Sequence, residues 1–265
     1  MFERFKGSAI HNLIITSCGD SLNEGLFLDR KIMDLADLQE GQEIIITRIG
    51  ADSWGNRIRT IVFSSENEGE AKVCGSLSKF LSVGELTCVI GEFYLDADKM
   101  NKFNKSGFPI FDLGFAPDTN KDNKNGNLDF QFSNRTKKGI KLGSPDYFLA
   151  LKSRVGLQRM YAKSMVIGLK VNKTHPDCLQ GSAELPGSVM VGANIQKYKS
   201  VTVYNQSQGG AADTYAVPMP EGVVMTTGAM ASFAKIGESV NIVSYVISST
   251  PIERTIIFTN GEKII

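Results

Sequence analysis

The sequence predicts a mainly β protein in which two small β-barrels stand in tandem, with short helices and a helical and polar linker. Three observations predict it. One block of sequence occurs twice in the same order, short β-branched runs alternate with glycine turns, and helical periodicity is scarce.

The repeat begins at Leu28–Gln39, which aligns without gaps on Leu185–Gln196. Leu28/Leu185, Met33/Met190, Ala36/Ala193 and Gln39/Gln196 are identical and each 157 positions apart. The register continues into the β-branched runs Ile44–Ile46 and Val201–Val203, which read as strands. Gly75–Glu85 then matches Gly228–Glu238 at a spacing of 153, so one intervening loop differs in length. Apolar strands follow at Leu86–Ile90 and Val240–Val243. Each copy therefore reads strand, turn, strand, short helix, strand, loop, strand, helical turn, strand. The short helices are expected over Asp29–Ala36, where Asp29 suits the N-cap, and Pro186–Ala193, where proline suits the first turn.

These limits divide the chain into 1–95, a linker at 96–161, and 162–265. Within the linker, Asp118–Asp129 is polar and turn-rich. Its acidic and amide spacing faintly resembles a calcium loop, but Asn123 stands where the turn needs glycine and Asp129 where glutamate is usual. A solvated loop is expected. Ser144-Pro145-Asp146 reads as a helix start, and Tyr147, Leu151, Val155 and Met160 follow at near-helical spacing. A helix is expected over Pro145–Tyr161.

Composition bounds the function. A net charge of +1 over 265 residues gives no electrostatic reason to bind nucleic acid or an acidic membrane. Cys18, Cys74, Cys88 and Cys178 are widely spaced, and two histidines cannot build a histidine-rich metal site. No run has the length of a membrane helix, and the first residues lack the pattern of a signal peptide. A reduced, cytoplasmic chain without metal is the expectation.

Both copies resemble the pyruvoyl-dependent aspartate 1-decarboxylase family, over residues 7–95 and 162–265, including the tail Ile247–Phe258. The resemblance implies that each unit is a double-psi β-barrel. It also implies that one Gly-Ser bond is cut by the protein itself. In the family the serine hydroxyl attacks the preceding carbonyl, an ester forms, and elimination leaves a pyruvoyl group. The matching bond here is Gly181–Ser182, with glycine expected to permit a strained turn. The first copy has Glu24–Gly25 there and no hydroxyl.

Other family positions divide between the copies. Thr214 would assist cleavage and Tyr215 would return a proton to the substrate carbanion; the first copy has Thr60 and Ile61. The carboxylate-binding arginine falls on Arg57, against Ala211 in the second copy. Lys163 is the best match to an N-terminal lysine, with Lys170 as a rival. Tyr204 matches an aromatic residue of the substrate pocket. A steadying asparagine becomes Thr227, or Cys74 in the first copy. His11 matches a family histidine, with Met165 taken as its counterpart.

The resemblance thus implies a zymogen that matures by autocatalytic cleavage. Through a Schiff base on the pyruvoyl cofactor it would convert L-aspartate to β-alanine and CO2, a step of pantothenate biosynthesis. The expected partners are an amino-acid substrate and a second copy completing a four-barrel ring, with maturation either spontaneous or aided by a further partner. A non-catalytic double-barrel regulator or assembly protein is the alternative.

Overall fold

In a computed structural model, residues 2–19, 23–49, 57–96, 111–114 and 157–261 are described. The first unit is built from β1 (Phe2–Ile14), β2 (Ser17–Gly19), β3 (Gly25–Asp29), α1 (Arg30–Leu35), β4 (Glu43–Arg48), β5 (Arg57–Ser65), β6 (Ala71–Cys74), β7 (Leu86–Asp96) and β8 (Phe111–Gly114). The second has β9 (Arg159–Lys170), β10 (Lys173–His175), β11 (Ser182–Pro186), α2 (Gly187–Gly192), β12 (Ser200–Asn205), β13 (Ala211–Met219), β14 (Met225–Thr227), α3 (Ala229–Phe233), β15 (Ser239–Ser248) and β16 (Thr255–Phe258). A 3-10 turn at Gly75–Lys79 stands where α3 stands in the second unit.

The two eight-stranded sheets have the same order, β2-β6-β3-β5-β4-β7-β1-β8 and β10-β14-β11-β13-β12-β15-β9-β16. Replacing each strand of the first by its counterpart yields the second. The repeat in the sequence is therefore a repeat of mixed, barrel-like β units, each around its own core.

Local chemistry explains the shared elements. Asp29 caps α1 by accepting from the Lys31 amide at 2.7 Å, whereas Pro186 leads into α2 without a side-chain cap. Both helices are followed by a left-handed residue, Asp37 and Asn194, each at φ 51°. Such residues tolerate that conformation and stop the helix.

Two boundaries differ from expectation. β8 pairs parallel with β1, so residues 111–114, assigned to the linker, belong to the first sheet. Arg159, Met160 and Tyr161, expected to end a helix, open β9 and pair with Ser248, Ile247 and Val246 of β15. Hydrogen bonding along that ladder overrides the local spacing. Gln158, also expected in that helix, forms a β-bridge with Tyr94 instead, while residues 145–156 and the loop at 118–129 lie outside the described residues.

Strand pairing also fixes which residues correspond. Ile10 faces Val89 and Val166 faces Ile242, and the next two positions form a bulge in each unit, with φ 58° at Asn12 and 82° at Gly168. His11 therefore corresponds to Ile167, and Met165 corresponds to Ala9. The His11–Met165 pairing is corrected accordingly.

The units meet through unlike faces. Ile61 and Phe63 of β5 pack with Ala162, Met165, Ile167, Tyr204, Val243 and Tyr245 from β9, β12 and β15. At the margin, Arg159 pairs with Asp37 at 2.6 Å and the Arg254 guanidinium lies 4.5 Å over the Phe63 ring.

Candidate active site

β11 begins at Ser182, paired antiparallel with Thr227 of β14, while β11 runs parallel to β13. These pairings bring three hydroxyls around one peptide bond. Thr214 donates from Oγ1 to the Gly181 carbonyl oxygen at 2.8 Å. Thr227 Oγ1 accepts from the Ser182 amide at 3.0 Å and lies 2.7 Å from Ser182 Oγ. It also donates to the Gln180 carbonyl at 2.9 Å. Ser182, Thr214 and Thr227 are buried, so these bonds are little weakened by water.

Alternation along β13 turns Thr214 and Ala216 inward and Tyr215 outward, where its ring is 57% exposed. A polarised carbonyl beside a held hydroxyl is what attack of serine on its own peptide bond requires. The loop before it is held by Gly228, at φ 52°. A Cβ there would sit 2.7 Å from the Cys178 carbonyl oxygen, so only glycine fits closely.

Gly181 itself is relaxed. Its φ is not positive, and an added Cβ would meet nothing nearer than the Met230 amide at 3.5 Å. The strained glycine turn expected from the sequence is absent at this residue. One neighbour escaped the sequence reading: Glu184 Oε1 accepts from Ser182 Oγ at 3.3 Å. Its signal was the i, i+2 spacing, which puts both side chains on one face of a strand.

The equivalent place in the first unit is closed. Glu24 is fully buried and accepts from the Ser76 amide at 3.0 Å and the Ser76 hydroxyl at 2.7 Å. Gln206 reaches over from the second unit to donate to the same carboxyl. Burial pushes Glu24 up to about 7, against the opposing pull of these hydrogen bonds. Gly25, the counterpart of Ser182, has φ 136°, and a Cβ there would lie 2.4 Å from the Ile61 carbonyl oxygen. Gly209 packs tightly on Lys79 and Ser76, so the hairpin that carries Gln206 covers this silent site.

The remaining expected residues stand elsewhere. Arg57 is exposed on β5 opposite Thr47 and lies near Glu92, whose carboxyl burial raises while Arg4 and Arg57 oppose. Tyr204 is fully buried between the units with its hydroxyl 2.6 Å from that of Tyr245, and burial holds both phenols well above their usual range. Lys163 is half-buried at the register shift between β9 and β15. Among the described residues, no hydrogen bond or ion pair joins Arg57, Tyr204 or Lys163 to Ser182. Neither does any group of three or more His, Cys, Asp or Glu there have the arrangement of a metal site. No described helix is long and apolar enough to cross a membrane.

Residues 157–263, the whole of the second unit as described, match the family model described as aspartate decarboxylase. The aspartate 1-decarboxylase of Syntrophobacter fumaroxidans is 31% identical over 91 residues, which are 34% of this chain and 73% of that protein. The chain belongs to the aspartate decarboxylase family. The enzyme of the same name from Methylococcus capsulatus is 33% identical over 69 residues, 25% of this chain and 55% of its own length. That from Campylobacter jejuni is 32% identical over 84 residues, 31% of this chain and 66% of its own. Aspartate decarboxylase similarity and the hydroxyl cluster thus converge on the second unit.

Proposed function

We propose that the chain cuts its own Gly181–Ser182 bond, converts Ser182 into a pyruvoyl group, and then decarboxylates L-aspartate to β-alanine and CO2. The observation that carries this reading is the 2.8 Å bond from Thr214 to the Gly181 carbonyl, beside a serine hydroxyl steadied by Thr227. Ser182, Thr214 and Thr227 fit the making of that group from the chain itself. Once formed, it supplies a ketone that binds the substrate amine and draws electrons from the bond to the carboxylate. Tyr215, next to Thr214 and facing outward, supplies the returning proton. Arg57 binds a substrate carboxylate through paired guanidinium donors.

The contact inside the chain supports an assembly of two copies. It sets Gln206, Gly209 and Ala211 of the second unit against the silent site and Ile61 of the first. By strand register Arg57 is the counterpart of Ala211, while Ser182 and Tyr215 are the counterparts of Gly25 and Ile61. Repeating the same contact between chains brings Arg57 of one copy to Ser182 and Tyr215 of the other. Ile61 is 0% exposed in the contact within the chain, and its counterpart Tyr215, 57% exposed, offers the corresponding face of the second unit. A head-to-tail contact that closes on itself forms a ring, and two chains supply the four units.

Intact mass under denaturing conditions tests the reading. A fragment ending at Gly181 and a second with a blocked N-terminus are expected, and Ser182→Ala leaves the chain whole and without β-alanine formation. A wild-type chain that remains whole, both purified and in host extract that could supply a maturation factor, rejects the reading in favour of a non-catalytic double-barrel protein.

A further inference from the structure

We infer that Glu184 is the base that accepts the proton of Ser182 during self-cleavage; the inference rests on the self-processing reading above. Glu184 follows Ser182 by two residues in β11, so their side chains share the face of the strand turned away from Ala183 and Leu185 of the core. Its Oε1 is 3.3 Å from Ser182 Oγ, slightly longer than a tight hydrogen bond, as acid–base pairs often are before the reaction. Among the described residues no lysine or arginine forms an ion pair with this half-buried carboxylate. The serine hydroxyl is its described hydrogen-bond partner.

Counting protons sharpens the role. Thr227 has a single hydroxyl proton, and its 2.9 Å hydrogen bond commits that proton to the Gln180 carbonyl as acceptor. Ser182 can then donate to Thr227 at 2.7 Å, which leaves the nucleophile protonated and at rest. When Ser182 donates to Glu184 instead, Thr227 can turn its proton toward Ser182 and keep that contact. The serine proton then lies on the path to a carboxylate, with Thr214 already on the carbonyl that must take negative charge.

The first unit supports the assignment by contrast. Phe27 is the counterpart of Glu184 in the strand register. Its ring packs against Phe63 at 5.1 Å and joins the apolar contact between the units. The unit without the hydroxyl has an apolar residue at this place, and the unit with the hydroxyl has a carboxylate.

The step balances without any co-reactant. Ser182 Oγ bonds to the Gly181 carbonyl carbon as its proton passes to Glu184. The bond from that carbon to the Ser182 nitrogen then breaks, and the nitrogen takes the proton back from Glu184. An ester and a free amine result, with no net change in protons or electrons.

Timed cell-free synthesis in host extract, with denaturation and weighing at intervals, measures the cleavage rate. Glu184→Gln keeps the size and an acceptor oxygen but not the basicity, and should cleave about 100-fold more slowly than wild type. Glu184→Ala should be as slow, and added formate should speed it at least about tenfold by replacing the missing carboxylate. Thermal melts of both variants on a Ser182→Ala background keep a folding defect separate from a chemical one. Cleavage of Glu184→Gln within about twofold of wild type overturns the role of Glu184 and leaves self-processing intact. A slow Glu184→Ala chain that formate does not speed overturns it equally. A wild-type chain that stays whole overturns self-processing, and the role of Glu184 with it.

Discussion

Gly181 precedes the proposed nucleophile, yet the backbone there does not need glycine. An alanine at this position would meet the Met230 and Ala229 amides at ordinary distances of 3.5 and 3.6 Å. Gly181→Ala should therefore fold and cleave within about threefold of wild type by intact mass, because no strain is stored at that residue. Glu24 yields a second prediction. Its folded-state carboxyl is raised from 4.5 to about 7, so the fold favours the protonated acid. Stability from this group is complete below about pH 4.5, declines as pH rises toward 7, and is flat above, a change of roughly 3 kcal/mol. Melting temperature should thus fall between about pH 5 and pH 8 in wild type and fall less in Glu24→Gln. Ser182, Thr214 and Thr227 were legible because they occupy strand positions fixed by the repeat. Glu184 was not, since its meaning depends on which face of β11 points at the peptide bond.

Elements decide what each unit can host. Gly228 sits at φ 52° and ψ −132°, with the Cys178 and Gln180 carbonyls close to where a Cβ would be. Gly228→Ala should push the loop off its position, cost about 1–3 kcal/mol and slow cleavage more than Gly181→Ala, read by melting and by mass. Gly25→Ser, by contrast, should not create a second cleavage site. The new side chain would begin 2.4 Å from the Ile61 carbonyl oxygen, in a backbone region that disfavours L residues. The helices at Arg30–Leu35 and Gly187–Gly192 were readable within a residue or two from cap and spacing. The edge strands β2 and β10, three residues each, were too short to leave a pattern. The start of β9 was misread as helix because its pairing with β15 is remote in sequence.

At the scale of the molecule, one interface explains why the expected site residues are scattered. Sequence register identifies Arg57 and Tyr204 as equivalents of positions in a shared unit, but not which neighbour each unit faces. Inside the chain the second unit addresses the silent site, and Tyr204 is enclosed there. Arg57 is exposed on β5, and in the proposed assembly it serves a second copy. Mixing Ser182→Ala chains with Arg57→Ala chains tests this directly. If the two residues meet between chains, the mixed dimer regains one intact site and roughly a quarter to half of wild-type activity. If they meet within one chain, no mixture restores activity. Tyr215→Glu, placing charge on the face proposed to be covered, should shift the assembly toward single chains in sedimentation, by burying an unpaired carboxylate.

The hairpin of Gln206 and Gly209, seated on the first unit, has a consequence for mass action. Half of the contacts in the proposed ring are joined covalently and form at a fixed effective concentration. Assembly from this chain then depends on the square of its concentration, where four separate units would depend on the fourth power. A protein made this way can keep its sites complete at dilutions that would empty a ring of single units, at the cost of one reactive centre for every two barrels built.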